Sequence, residues 1–232
     1  MNRPWRVIPA VCLALGACST PPRSLATGSA SEGGVVEQGT FVLHMTHGAI
    51  REQFTRTPEK LQAERLDPNG FRQTILMTLK PDASAAHLEV LSYAPGSLRT
   101  SQPVQRSVLV LRGDSAIAQT AQGDTVLPAR AEHVRGGMPY VYPSVAALEQ
   151  LIRRARRIGG IRVRLPLVHA WGIYQGAESV TITFGGDSAF VDFGGFYTVR
   201  VQTDAVGRVL GGSVPEGEVR TNRIERISSG IQ

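Results

Sequence analysis

The sequence predicts a mainly β domain: one antiparallel curved sheet or open barrel with a single central amphipathic helix at 144–158. Three observations carry this expectation. Most of the 232 residues fall into short apolar/polar alternations bounded by Gly, Pro, Asn and Asp, the pattern of strands joined by tight turns. Only one stretch, SVAALEQLIRRARRI, repeats with a helical period. The alternating stretches follow each other at short, regular spacing, which argues for antiparallel pairing.

The N-terminus comes first. Arg3 and Arg6 form a positive region, and an apolar run over 7–16 ends in small residues before Cys18. As a helix that run spans about 15 Å, half of a bilayer core of about 30 Å. It reads as a signal peptide, 1–17, and not as a membrane span. Leu15-Gly16-Ala17-Cys18 resembles the lipobox of bacterial lipoproteins. The resemblance implies cleavage between Ala17 and Cys18, diacylation of the Cys18 thiol and acylation of the new N-terminus. Ser19, where an aspartate would mark inner-membrane retention, implies an outer-membrane destination facing the periplasm. The membrane is then a partner through acylated Cys18. At about 0.8 kcal/mol per buried methylene, acyl chains outweigh arginines worth about 1 kcal/mol each near an anionic surface.

Both cysteines are thereby assigned: Cys12 leaves with the signal and Cys18 carries lipid, so the mature chain has no disulfide. Residues 18–38, rich in Ser, Gly, Pro and Ala, read as a lipidated flexible tether reaching on the order of 25 Å. The domain is expected at 39–227, with a tail at 228–232. The formal charge of +6 falls to +4 once Arg3 and Arg6 are removed. Export excludes nucleic acid as the partner of that basic excess.

Strands follow in order. Phe41, Leu43 and Met45 share one face of the first, and His47-Gly48 turns into a second at 49–57. A third at 61–66 ends in Asp67-Pro68-Asn69-Gly70, where Pro presets φ and Asn-Gly accepts positive φ. Strands at 71–79, 87–93, 105–111 and 115–120 complete a meander. In the helix, Val145, Leu148, Leu151, Ile152, Ala155 and Ile158 form the buried face and Arg153, Arg154, Arg156 and Arg157 the wet one. Ser144 is the expected N-cap and Gly159-Gly160 the stop. Beyond it, Val163, Leu165 and Leu167 alternate with Arg162, Arg164 and Pro166, and strands at 179–184, 189–193, 197–203, 208–214 and 218–227 bring the total to roughly ten to twelve. A sheet that size curls, and a helix across its concave face leaves a groove.

Chemistry is sparse. His44 and His47 are an odd number apart and point to opposite faces of a strand, no Cys ligand remains, and no metal or other cofactor is expected. The repeated Gly-Asp-Ser-Ala at 113–116 and 186–189 lacks the strand-to-helix context of a nucleophile elbow and reads as hairpin tips, so no enzyme is expected. The aromatic loop 138–143 offers Tyr140 and Tyr142, with Trp171 and Tyr174 on a second loop. They either form a lip for an apolar or glycan ligand or plug the end of the core.

In outline the chain resembles the envelope lipoproteins of the lipoprotein-carrier (LolA/LolB-like) family, in architecture and compartment and in no motif. The resemblance implies an apolar or lipid ligand, such as an acyl chain, in the concave face. Two other readings stand beside it. One is an interaction lipoprotein whose Arg153, Arg154, Arg156 and Arg157 meet an acidic envelope component or a protein partner. The other is a hydrolase with a site of unfamiliar form.

Overall fold

The computed structural model describes residues 36–169, 178–216 and 220–231. Alternation builds its strands. In β1 (Glu37–Met45) Glu37, Phe41 and Leu43 are buried. In β2 (Gly48–Arg56) Ile50, Glu52, Phe54 and Arg56 are buried while Arg51, Gln53 and Thr55 are exposed. The meander continues through β3 (Lys60–Leu66), β4 (Arg72–Leu79), β5 (Ala85–Tyr93), β6 (Gln105–Arg112) and β7 (Ser115–Gln122). Two short strands, β8 (Thr125–Val126) and β9 (Arg130–His133), both pair with β7. After β10 (Met138–Tyr140) and α1 (Val145–Ile158), a second meander runs through β11 (Arg162–His169), β12 (Ser179–Gly185), β13 (Ser188–Asp192), β14 (Thr198–Thr203), β15 (Val209–Glu216) and β16 (Arg220–Ile231).

The two meanders fuse where β16 pairs antiparallel with β1, Glu37 opposite Ile231. The result is one 16-stranded sheet, open and curved, running from β10 through β16 and β1 to β8. Inward side chains of both halves and of α1 form a single core, in which Phe41, Ile75, Leu88, Leu109, Ile182 and Val201 are completely covered. Gly113 and Gly186, at φ 58° and 61°, turn two hairpins whose flanking pairs are Arg112–Ser115 and Gly185–Ser188. Each Gly-Asp-Ser-Ala is therefore a two-residue hairpin tip.

Several boundaries differ from the sequence reading. Residues 138–140, expected in a loop, form β10, which lies parallel to β11, Met138 opposite Leu167. Helix α1 is thus the crossover that a parallel pair requires. Three covered residues are too few to show a period of two, and the other two strands with no counterpart among the stretches named above, β8 and β9, are shorter than a pattern can reveal. Strand pairing also begins at Glu37 and runs to Ile231, into what composition assigns to tether and tail. Backbone pairing does not depend on hydropathy there.

Ser144 caps α1, accepting a hydrogen bond from Ala147 N at 3.0 Å, and Gly159 N closes the other end on Ala155 O at 3.0 Å. Leu151, Ile152 and Ala155 are fully covered, but so is Glu149. The expected wet face is mostly docked on protein: Arg153 pairs with Glu37 and Glu149, Arg154 with Asp82, and Arg156 lies over the Phe184 ring. Only Arg157 of the four is exposed, and Ile158, assigned to the core face, is half-exposed in the last turn. The reason is geometric. A step of about 100° per residue puts Arg156 about 20° and Glu149 about 40° from Val145, on the flank of the buried face.

Candidate functional site

Of the two tyrosines before α1, Tyr140 belongs to the core and Tyr142 lies at its edge. Tyr140 is 3% exposed; it stacks on Phe193 at 4.9 Å and its hydroxyl accepts a hydrogen bond from the Tyr197 hydroxyl at 3.1 Å. Burial pushes the Tyr140 hydroxyl pKa up. Tyr142 is half-exposed, its ring 5.0 Å from that of Tyr197. Trp171 and Tyr174 lie outside the described residues. The space left between α1 and the sheet, bounded by Leu43, Met45, Leu148, Val199 and Ile224, holds about 30 Å³. That admits a water or two and no acyl chain. Among the described residues the expected groove is filled, because α1 and the inward aromatics occupy it.

Two ionic clusters replace it, both created by strand alternation on the inner face. Glu52 and Arg65 face each other across β2 and β3. The Glu52 carboxylate accepts from the Ser144 hydroxyl, from Val145 N at 2.7 Å and from Ala146 N at 3.0 Å, placing negative charge at the positive end of α1. Burial pushes the Glu52 carboxyl pKa up, against these hydrogen bonds and Arg65.

Beyond the stacked rings of Phe41 and Phe54, Glu37 of β1 faces Arg56 of β2. Glu149 reaches the same point from α1. One of its oxygens accepts from Arg56 Nη1 and from Arg153 Nη2 at 3.0 Å, the other from Val209 N at 2.8 Å and Arg226 Nη1 at 2.9 Å. Glu37 takes Arg226 and Arg153, each at 2.6 Å, with Arg208 Nε at 3.3 Å. Arg226 also sits 5.1 Å from the centres of both Phe41 and Phe54. Burial raises the Glu37 carboxyl, but Arg153, Arg56 and Arg226 outweigh it and hold it below the usual carboxylate range. Four guanidiniums thus share two carboxylates, and the cluster keeps a positive excess.

Glu37, Arg56, Arg153 and Arg208 of that cluster form the floor of a cleft of about 450 Å³ over the C-terminal half of α1. Lys80, Arg156 and Arg157 line its walls alongside Arg56, Arg153 and Arg208, and Glu37 is the one carboxylate among its lining residues. Asp204, 3.8 Å from Arg208, and Asp82, paired with Arg154, lie nearby. Lys80 and Arg157 are exposed and carry no ion pair among the described residues. The Nε atoms of Arg56 and Arg156 are buried and donate to nothing described. A concave, low-dielectric wall focuses such a field and concentrates anions. Thr57 is the one hydroxyl among the lining residues, which include no His or Cys. A larger depression of about 940 Å³ on the outer face carries Asp187 and Glu225 beside Arg200, Arg223 and Arg226, a smaller cationic excess than that of the cleft.

Sequence reasoning found Arg153, Arg156 and Arg157 and missed Glu37, Arg56, Glu149, Arg208 and Arg226. A signal existed for Glu149, close to Val145 on the helical wheel. None existed for Arg226, which reaches the cluster only through the pairing of β16 with β1.

No family model and no curated protein sequence matches the chain. Among solved structures, a β-barrel-like protein of the domain of unknown function DUF1849 from Brucella abortus matches 86% of this chain and 98% of its own at a TM-score of 0.50 and 11% identity. A DUF1089 family protein from Pseudomonas aeruginosa matches 74% of this chain and 91% of its own, with a TM-score of 0.48 and 15% identity. At 11% identity the first likeness is one of fold, the open β-barrel-like sheet described above.

Proposed function

We propose that this chain is a bacterial envelope lipoprotein, anchored through acylated Cys18, whose β domain holds an acidic component of the envelope in the cleft over α1. One observation carries the reading: six cations, Arg56, Lys80, Arg153, Arg156, Arg157 and Arg208, line a cleft in which Glu37 is the one lining carboxylate. The buried guanidiniums, Arg56 and Arg226, are balanced by Glu37 and Glu149, so the excess lies on Arg153, Arg208 and the exposed Lys80 and Arg157, where an acidic ligand can reach it. The arginine-rich helix face thus takes part as a binding wall together with β1, β4 and the turn before β15, and not as a free surface. Export by the lipobox-type signal places the domain among the acidic polymers and lipids of the envelope, in the periplasm at the outer membrane. An acyl ligand in the concave face would first require α1 to leave it.

Isothermal titration of the full chain in dodecyl maltoside with polyglutamate and polyphosphate tests this reading. Saturable binding of at least one polyanion, lost in Lys80→Gln/Arg157→Gln and retained in Arg112→Gln/Arg135→Gln, is expected. Arg112 and Arg135 are exposed and outside the cleft, so both variants carry the same net charge. Binding of neither polyanion, or equal loss in both variants, contradicts it.

A further inference from the structure

We infer that the end of the sheet around the mouth of the cleft docks on the anionic surface of a lipid bilayer, with Ile158, Ile161 and Val206 dipping below the headgroups and Lys80, Arg157 and Arg162 lying among them. The docking residues are those exposed around the cleft, so no occupant inside it is needed. Topology gathers them. The end of α1, the start of β11 and the turns after β4 and before β15 all lie at the end of the sheet where β1 begins. Ile158, Ile161 and Val206 are 49%, 75% and 55% exposed there. Single exposed apolar residues are ordinary on a protein surface, but three at one end, on turns that border cations, make the amphipathic arrangement of an interfacial docking site. Lys80, Arg157 and Arg162 are exposed and carry no ion pair among the described residues. The acids bordering the cleft are spent: Asp82 pairs with Arg154 at 2.9 Å, and Asp204 lies 3.8 Å from Arg208. Asp187, exposed on the turn after β12, offsets one cation, and a positive excess remains around the cleft.

The opposite end supplies the contrast. Leu98 and Phe196 are 74% and 66% exposed there, yet Arg99 beside Leu98 pairs with Glu64, and Asp192 closes the turn that carries Phe196. Apolar tips without free cations are not drawn to an anionic surface. A bilayer also suits the geometry better than a folded partner does. The three apolar side chains stand on two separate turns, Ile158 and Ile161 after α1 and Val206 before β15. A protein would need a complementary pocket for each turn, whereas a fluid interface conforms to both. Binding there adds buried apolar area to electrostatic attraction.

The test reads the insertion at single positions. In the full chain with Cys12→Ser/Cys18→Ser, either Ile161→Cys or Leu98→Cys supplies one exposed thiol for an environment-sensitive fluorophore. The labelled chain is titrated with vesicles of phosphatidylcholine alone and of phosphatidylcholine with an equal part of phosphatidylglycerol. The expected result is a blue shift and brightening at position 161 with the anionic vesicles, and little change there with phosphatidylcholine or at position 98 with either. Lys80→Gln/Arg157→Gln should weaken the response about thirtyfold. Arg51→Gln/Arg99→Gln, which removes the same charge from exposed positions outside the cleft, should leave it unchanged. No response at position 161 overturns the docking, and continued binding of polyglutamate or polyphosphate would then leave the cleft reading standing. An equal response with phosphatidylcholine alone overturns the anionic partner, and an equal response at position 98 overturns the assignment to this end of the sheet.

Discussion

Glu37 and Glu149 each compensate several guanidiniums, so deleting either charge leaves one carboxylate to balance the buried Arg56 and Arg226 together. Glu149→Gln is expected to destabilise the domain by about 3–5 kcal/mol, read from urea denaturation. Lys80→Gln/Arg157→Gln, at exposed positions, should stay within about 0.5 kcal/mol of the parent chain. Equal losses in the two variants would mean that the cleft walls, like its floor, serve folding. Glu37 also sets an acid limit. Its folded carboxyl titrates below its ordinary value of 4.5, so its ionised form contributes stability that is present above that pH. The contribution is lost as pH falls through the lower folded value. A stability profile from pH 6 to 2 should show this limb, and Glu37→Gln, less stable near pH 6 and converging on the parent at the acid end, should lack its share of it. An unchanged slope would remove Glu37 from the account.

At the scale of elements, α1 is held from both ends by strand carboxylates, Glu52 under its first turn and Glu37 beside its last half. Ser144→Ala removes an N-cap and a donor to Glu52, at a cost of about 1–2 kcal/mol, while Leu151→Ala, emptying the centre of the core, costs about 2–5 kcal/mol. Denaturant midpoints check both, and a larger loss for the cap would mean that the ionic anchor outweighs the apolar one. The helix, its cap and its stop are legible in sequence because a period of 3.6 over fourteen residues leaves little ambiguity. The long strands are legible for the same reason at a period of two. The ionic inner face of β2 is not, because Glu52 and Arg56 alternate with Arg51, Gln53 and Thr55, and hydropathy sees charge on both sides. Burial there is decided by partners on β1, β3 and α1, which a local pattern cannot carry.

For the whole molecule, the pairing of β1 with β16 makes two meanders one sheet. A chain lacking residues 220–231 leaves β1 and β15 without their shared neighbour and deprives Glu37 and Glu149 of Arg226. It should show no cooperative thermal transition by circular dichroism, and a sharp transition would mean that the halves fold separately. The open β sheet with one helix follows from periodicity, whereas the cleft gathers residues more than a hundred positions apart, such as Glu37 and Arg208. The filled concave face predicts in turn that a fluorescent fatty acid shows no saturable binding to the full chain. Saturable binding there would require α1 to move. The claim that matters most is that the cleft holds an anion. Crystals of the protein soaked in tungstate test it by anomalous scattering. A peak between Lys80, Arg156, Arg157 and Arg208, absent from Lys80→Gln/Arg157→Gln crystals, is the predicted result, and an empty cleft with peaks only elsewhere on the surface would contradict it.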